Sequence, residues 1–324
     1  MKKKIQSFEV LEPKNQLFLY NYEKLFKQFV LMYEKKTLPN VLLLSGVKGI
    51  GKSTFAHHLC NYLLSKNDDG AYSINDYKIN ENNSTYKLIN TSTHPNFFTI
   101  ENNFDSKNIK IEQIRNLIIF LNKTTYSKDL KFVIIDNSER LNLNSSNALL
   151  KSMEEPSENT FFFIIHDSSF KLLNTIKSRC IEFKIFKNYI EKKKIFNDLA
   201  AQYNIIEKID DSILEDLYFN SSGNVFSYFV RLLNDEFKYT NNILDFVFYF
   251  IDKYKKDNNP ETLSFITFFI NKYYNNLCLK GNGSSSYFTN HSKIFKHIED
   301  MKKYNLNVKS VFIQVNDILI NETK

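Results

Sequence analysis

The chain has 324 residues, more than one ordinary compact core holds, so we expect two or three domains. Hydrophobic residues make up 43%, and the net charge of +7 is modest, which permits contact with nucleic acid without arguing for it. No apolar run reaches the roughly 18 residues of a membrane span, and no apolar segment follows the lysines at the N-terminus. We therefore predict a cytoplasmic protein without membrane contact.

Strands and helices alternate over the first 186 residues. The pattern predicts strands at 41–44, 97–100, 131–136, 160–165 and 181–186, and helices at 17–33, 54–64, 109–121, 142–155 and 170–178. This order predicts an α/β domain with a doubly wound parallel sheet and a ligand at the carboxyl ends of its strands. The polar, Asn-rich segment 65–96 has no evident period, and we interpret it as a surface excursion.

From residue 187 the pattern is helical only, with further helices predicted at 189–203, 210–219, 224–233, 241–254, 260–279, 287–304 and 308–319. We therefore predict three domains, which are an α/β domain at 1–186, a small helical domain at 187–238 and a helical domain at 239–324. The last helices are rich in Phe and Tyr. Those side chains either form the domain's own core or pack on a partner, and the pattern leaves both open.

A phosphate-binding loop is predicted at 46–53, where GVKGIGKS matches G-x-x-x-x-G-K-[ST] between an apolar strand and a helix. Backbone N–H groups and the helix N-terminus would hold the phosphates, Lys52 would reach the β- and γ-phosphates, and Ser53 would bind Mg²⁺. The alternative is a Gly-rich turn before a helix, but three of the chain's 7 Gly lie in this window. The candidate nucleotide-binding residues are Gly46, Gly49, Ile50, Gly51, Lys52, Ser53 and Thr54.

The run KFVIID at 131–136 is an apolar strand that ends in an acid. After a phosphate-binding loop, such an acid is the second Mg²⁺-coordinating group, which here is Asp136. The alternative is an Asp that caps the following helix. Cys60, Cys180 and Cys278 lie far apart without a C-x-x-C pair, so we predict neither a zinc site nor a disulfide framework.

Two further segments carry a family resemblance. NALLKSMEEP at 147–156 and LNTIKSRC at 173–180 resemble the NALLK-x-LEEP and L-P-T-I-x-S-R-C segments of bacterial DNA polymerase III clamp-loader subunits. His94-Pro95 resembles the HPD of the same family. The resemblance implies an AAA+ P-loop domain, a helical lid and a C-terminal collar for oligomerisation. It also implies a hetero-pentamer with gamma/tau and delta subunits that uses ATP to load a sliding clamp on primed DNA.

The resemblance implies a role for Arg179. In this family the Arg of the S-R-C segment points into the nucleotide site of the neighbouring subunit. A planar, permanently charged guanidinium suits stabilisation of the transferring γ-phosphoryl group. The alternative is a structural Arg at a helix end.

Several departures bear on hydrolysis. Active relatives place Glu directly after the Asp that corresponds to Asp136, but here Asn137 follows, and we expect Glu139 to face elsewhere. The lid segment at 223–226 lacks the Arg of the ATPase subunits, and the position resembling their sensor Thr is about His166. No Cys remains in 65–93, where many relatives carry a zinc knob.

These departures favour a delta-prime type of subunit that binds ATP or ADP with Mg²⁺ and has weak or no ATPase activity of its own. One alternative is an ATP-hydrolysing subunit of the gamma/tau type. A less favoured alternative is a stand-alone P-loop ATPase or kinase, which would be active alone and would leave the S-R-C segment unexplained.

Overall fold

A computed structural model describes residues 8–101, 108–123, 130–235, 237, 242–279 and 285–322. The chain divides into two compact units, 1–235 and 236–324. The predicted boundary between 238 and 239 lies outside the described residues, and the division into three domains stays a prediction.

A five-stranded parallel sheet organises the first unit. Its strands are β1 (Val41–Gly46), β2 (Phe97–Ile100), β3 (Lys131–Ile135), β4 (Thr160–Asp167) and β5 (Ile181–Lys184). Their spatial order is β2-β3-β4-β1-β5, and each neighbouring pair is parallel. This arrangement confirms the predicted fold class. The carboxyl ends of β3, β4 and β1 therefore lie side by side.

Helices cover both faces of the sheet because alternate strand residues point to opposite sides. Leu42, Phe132 and Phe163 belong to one hydrophobic cluster, whereas Leu43 and Val133 belong to another. The first helices of the unit are α1 (Glu23–Glu34), α2 (Lys52–Leu64), α3 (Ser84–Asn90), α4 (Ile111–Asn122), α5 (Leu143–Glu154) and α6 (Asn174–Lys177). Helices α1 and α2 contribute to the first cluster, and α4 and α5 to the second.

The segment 65–96 is not a mere surface excursion, so that interpretation is wrong. Its buried hydrophobic residues join the cluster that contains residues of α1 and α2, and they are Tyr72, Tyr77, Ile79, Tyr86 and Ile89. The Tyr72 ring stacks on Phe26 with centroids 5.4 Å apart. The Leu19 N–H donates to the Tyr77 carbonyl at 3.0 Å. The buried side chains are spaced irregularly among polar residues, which is why no helical or strand period is visible.

Three helices follow the sheet in the same unit, α7 (Tyr189–Gln202), α8 (Asp211–Glu215) and α9 (Ser222–Asn234). Helix α7 packs on α9 through Phe196, whose ring lies 5.8 Å from that of Phe226. The Ser221 side chain caps α9 by accepting a hydrogen bond from the Asn224 N–H. These three helices lie in the segment predicted as a small helical domain, and its role as a lid stays a prediction.

The second unit contains α10 (Ile243–Asp257), α11 (Pro260–Leu279), α12 (Ser285–Tyr304) and α13 (Val308–Asn321). Phe246 and Phe250 stack on Phe269 at 5.0 and 5.6 Å between centroids. The rings of Tyr254 in α10 and Phe312 in α13 contact each other, with their centroids 5.6 Å apart. These aromatic side chains build the unit's own core, which was one of the two open alternatives. Within the described ranges of both units, no helix has the length and apolar character needed to cross a membrane.

Candidate functional site

The candidate site begins with the loop between β1 and α2. Gly49 and Gly51 have φ angles of 77° and 98°, in the left-handed region that glycine adopts without strain. Gly51 is the N-cap of α2, and it has no side chain to accept from the first N–H groups of the helix. A helix start of this kind suits an anion, because its N–H groups and its dipole both favour negative charge. The loop geometry therefore fits phosphate.

Lys52 begins α2 and is only 5% exposed. Its Nζ donates hydrogen bonds to the carbonyls of Gly46 and Val47 at 2.7 and 2.8 Å. Burial lowers the pKa of Lys52, while the carboxylates of Asp167, Asp136 and Glu139 act in the opposite direction. Three carboxylates that follow or end two neighbouring strands thus lie near enough to act on this ammonium group.

Asp136 directly follows β3, and Ser53 lies beside it. The Ser53 hydroxyl hydrogen-bonds the Asp136 carboxylate, and the Asn137 N–H donates to Asp136 Oδ1 at 2.8 Å. Burial raises the pKa of Asp136, and these hydrogen bonds and Lys52 lower it. A hydroxyl and a carboxylate are oxygen ligands of the kind that Mg²⁺ prefers. The structure therefore brings the two predicted Mg²⁺ ligands together, and their chemistry fits the ion.

Ile50 and Thr54 complete the predicted set. Ile50 is buried, and its carbonyl accepts a hydrogen bond from the Tyr22 hydroxyl at 2.8 Å. Thr54 is half-buried in the first turn of α2. The Lys187 Nζ lies 4.3 Å from the centre of the Tyr22 ring, so Lys187 and Tyr22, the N-cap residue of α1, both support the loop.

Glu139 was expected to face elsewhere, and this expectation is wrong. Asn137 adopts a left-handed conformation with φ 54°, and a 3-10 helix at Ser138–Arg140 turns the chain back toward β4. Glu139 Oε2 accepts a hydrogen bond from the Asp167 N–H at 3.1 Å. The same oxygen lies 3.6 Å from His166 Nδ1. The expectation assumed that the chain stays extended after Asp136, but the chain turns directly after that residue.

Asp167 is a second residue that the sequence reasoning missed. It is buried at the end of β4, opposite Gly46 of β1, and it acts electrostatically on Lys52. The predicted strand stopped at residue 165, whereas β4 continues for two polar residues. An acid within two residues of an all-apolar strand was the signal that could have identified it.

The start of α9 lies directly on the phosphate-binding loop. The Gly223 N–H donates to the Gly49 carbonyl at 3.0 Å. A Cβ atom on Gly49 would lie 2.5 Å from both Ser221 Oγ and Asn224 Oδ1. A Cβ atom on Gly223 would lie 2.6 Å from the Gly49 carbonyl oxygen. Both positions therefore need glycine for this close approach, and the start of α9 contributes to the candidate site.

Arg179 follows α6 and is bound to a different set of groups. Its Nε donates to Glu154 Oε1 at 2.7 Å, and its Nη1 donates to the Thr175 carbonyl at 2.9 Å. The Arg179 Nη2 also pairs with Glu154 Oε1. The side chain is 29% exposed. Arg179 and Glu154 come from the two segments that carry the family resemblance, so these segments contact each other.

The fold and the loop define a P-loop protein with a five-stranded parallel sheet. The family model described as DNA polymerase III, delta subunit matches residues 21–188, more than half of the chain. The chain belongs to this family, as the resemblance implied.

Individual relatives agree with the family match. The chain is 36% identical over 140 residues to DNA polymerase III subunit delta' of Pseudomonas aeruginosa, covering 43% of this chain and 41% of the relative. It is 26% identical over 155 residues to the Escherichia coli K12 protein of the same name, covering 48% and 45%. A subunit gamma of Buchnera aphidicola is 31% identical over 157 residues, covering 48% and 40%. These matches span less than half the length of the relatives.

Proposed function

We propose that the chain is a delta-prime-type subunit of the DNA polymerase III clamp loader. The observation that carries this proposal is the family match over 21–188, which contains both the phosphate-binding loop and the S-R-C segment. Relatives named subunit delta' support it further. The proposed role is to help load a sliding clamp on primed DNA during replication.

The proposed ligand of the loop is ATP or ADP with Mg²⁺. The N–H groups from Gly49 to Thr54 would hold the phosphates, and Lys52 would bind the β- and γ-phosphates. Ser53 and Asp136 would hold the ion, which neutralises phosphate charge. Support comes from the left-handed glycines, the uncapped start of α2 and the Ser53–Asp136 pair. We expect slow turnover, because Asn137 follows Asp136, and we expect no zinc.

The proposed partners are the gamma/tau and delta subunits in a hetero-pentamer, the sliding clamp and primed DNA. Within that assembly Arg179 would act on the nucleotide of the neighbouring subunit. Its partial exposure supports this role. Its hydrogen bonds to Glu154 and to the Thr175 carbonyl are those of the alternative, a structural Arg at a helix end.

The alternative of a gamma/tau-type ATPase subunit has the Buchnera gamma match in its favour. The lid segment at 223–226 argues against it, because no Arg occurs where Gly223 and Asn224 lie on the loop. Without a cation at this position, the lid has less means of stabilising γ-phosphate charge.

The test is the DNA- and clamp-stimulated ATPase activity of a complex reconstituted with partner subunits. We expect Arg179→Ala to lower this activity by about 10³-fold or more while assembly survives, because an arginine finger has an effect of that size. Lys177→Ala is the matched control, since it removes an exposed cation two residues away. If the isolated chain hydrolyses ATP well and Arg179→Ala changes nothing, the proposal is wrong.

A further inference from the structure

We propose that an N-terminal strap, residues 8–16, holds helices α7 and α9 closed over the phosphate-binding loop and limits how fast a nucleotide enters and leaves it. This inference rests on the nucleotide-binding part of the proposed function, to which it adds a gate. The strap contacts the helices near one end and the α/β part of the unit near the other. It can therefore couple the position of the helices to that of the sheet.

The gate is the contact between the start of α9 and the phosphate-binding loop. The Gly223 N–H donates to the Gly49 carbonyl at 3.0 Å, and a Cβ atom on Gly223 would lie 2.6 Å from the same oxygen. Two backbones this close leave no room for a ligand between them, so a nucleotide has to enter while α9 is lifted. The chain joins the sheet to α7 through 185–188, and a short link of this kind lets the helices turn as a body.

One end of the strap is bound to the far ends of α7 and α9. The Phe8 N–H donates to Asn234 Oδ1 at 2.8 Å, and Asn234 Nδ2 donates to the Phe8 carbonyl at 2.6 Å. The Leu11 N–H donates to the hydroxyl of Tyr203, the C-cap residue of α7, at 2.9 Å. Asn234 is the last residue of α9, so this helix is held by the strap at the end opposite to Gly223.

The other end of the strap is bound to the α/β part of the unit. His58 Nε2 of α2 donates to the Gln16 carbonyl at 3.0 Å. Lys14 Nζ donates at 3.1 Å to Glu101 Oε2, directly after β2. A 3-10 helix at Pro13–Asn15 lies between these contacts and those to α7 and α9. The strap therefore forms a second connection between the helices and the sheet, in addition to the link at 185–188.

The two ends of the strap differ in burial, which decides where it opens. His58 is buried and Gln16 is 8% exposed, whereas Leu11 is 37% exposed and Asn234 is half-buried. Hydrogen bonds that water can replace break at lower cost than buried ones, so the strap releases the helices before it leaves the sheet. Loss of the two hydrogen bonds at Asn234 should shift the equilibrium toward the open arrangement by about tenfold. Because only the open arrangement admits a ligand, the association rate should rise by the same factor.

The experiment compares the full chain with two strap variants. Asn234→Leu keeps the size of the side chain and removes both hydrogen bonds to Phe8. Tyr203→Phe removes only the hydroxyl that accepts from the Leu11 N–H. Asn197→Leu makes the same change as the first variant at an exposed position of α7, and it is the matched control.

Two measurements report on the gate. The first is hydrogen exchange at the Gly223 N–H, with the amides of β4 as a reference for global unfolding. An N–H group in the first turn of a helix has no partner within the helix, so protection at Gly223 depends on its hydrogen bond to Gly49. The second is the pair of association and dissociation rates of a fluorescent ATP analogue.

We expect exchange at Gly223 to become faster by about tenfold in Asn234→Leu and by about threefold in Tyr203→Phe. Exchange in β4 should stay unchanged, and Asn197→Leu should match the wild type. Both rates of the analogue should rise in parallel with exchange at Gly223, because each passage of the ligand requires the open arrangement.

Unchanged exchange at Gly223 in both strap variants would overturn the inference, and so would an equal rise in β4, which would indicate global destabilisation. Faster exchange at Gly223 with unchanged rates of the analogue would overturn the gate, while nucleotide binding itself would stand. If neither the wild type nor the strap variants bind the analogue, nucleotide binding fails as a proposed function and the gate fails with it. Binding by the strap variants alone would support the inference, because it would show that the strap blocks the loop.

Discussion

Lys52 and Arg179 are cationic side chains of the first unit that differ in burial and in the groups that they contact. Lys52 is almost fully buried, its Nζ donates to two carbonyls of its own loop, and three carboxylates act on it electrostatically. Arg179 is 29% exposed and is bound to Glu154 and the Thr175 carbonyl. A ligand of Lys52 therefore has to enter this chain's own loop, whereas the Arg179 guanidinium is partly open to solvent.

The largest expected effect distinguishes the two cations by nucleotide binding. Lys52→Ala should weaken binding by about 2–5 kcal/mol, or roughly 30-fold and more, because it leaves phosphate charge without its buried partner. Arg179→Ala should leave the Kd within about twofold. The measurement is a titration of the isolated chain with a fluorescent ATP analogue. Equal losses in the two variants would show that Arg179 also serves this chain's own site.

The second prediction concerns how stability depends on pH, which follows from two buried histidines of α2, the helix that Lys52 begins. Burial lowers the pKa of both His57 and His58 to about 3. Below about pH 6.5 each of these histidines binds a proton in the unfolded chain, whereas in the folded chain it stays neutral until the pH approaches 3. The free energy of unfolding is therefore not reduced by these histidines above pH 6.5, and it decreases as the pH falls from 6.5 toward 3. Over this range each histidine lowers the free energy of unfolding by up to about 1.4 kcal/mol for each unit of pH decrease.

Urea unfolding at a series of pH values from about 7 to 4.5 checks this slope. A His57→Leu variant is informative because it removes one of the two titrating groups. Its slope should be shallower than that of the wild type by about 1.4 kcal/mol per pH unit. Identical slopes in the two proteins would contradict the predicted burial of neutral His57.

A smaller effect is expected in the segment 65–96, where a contact of Tyr72 with the same helix should stabilise the fold. His58 Nε2 donates to the Gln16 carbonyl at 3.0 Å, since a carbonyl only accepts, so Nδ1 accepts from the Tyr72 hydroxyl at 2.9 Å. Tyr72→Phe leaves this buried nitrogen unpaired and should cost about 1–3 kcal/mol of the free energy of unfolding. Tyr304→Phe, at an exposed position, is the control. Equal stability of the two variants would mean that the Tyr72 contact contributes nothing.

The sequence predicted the sheet well because its strands, apart from β5 (IEFK), are built around short apolar runs. It also predicted that Lys52, Ser53 and Asp136 lie together, since their spacing follows from a strand, a loop and a helix, and the structure brings them together. Their roles toward a nucleotide stay predictions. It failed on 65–96, where buried tyrosines are spaced by tertiary packing rather than by a helical or strand period.

The sequence also misjudged Glu139, whose direction depends on the left-handed Asn137. A single non-Gly residue with positive φ is not predictable from pattern alone. The contact between Glu154 and Arg179 could not be predicted either, because it joins residues that are 25 positions apart.

The smallest expected effect concerns what holds Arg179 in the free chain. Glu154 is 48% exposed, and exposed ion pairs contribute only about 0–1 kcal/mol. To act on a neighbouring phosphate, the guanidinium has to exchange Glu154 for that phosphate. Glu154→Gln removes the competing charge and keeps the shape of the side chain. We therefore expect the stimulated ATPase activity of the reconstituted complex to rise by up to about fivefold at limiting nucleotide.

Glu155→Gln, which removes the neighbouring exposed carboxylate, should change this activity little. A fall in activity with Glu154→Gln would contradict the exchange and would mean that Glu154 aligns Arg179 within the assembly. The salt dependence separates the two cases further. Because salt screens an exposed pair, the advantage of Glu154→Gln over the wild type should shrink as ionic strength rises. An aligning contact would instead make the wild type approach the lower activity of the variant at high salt.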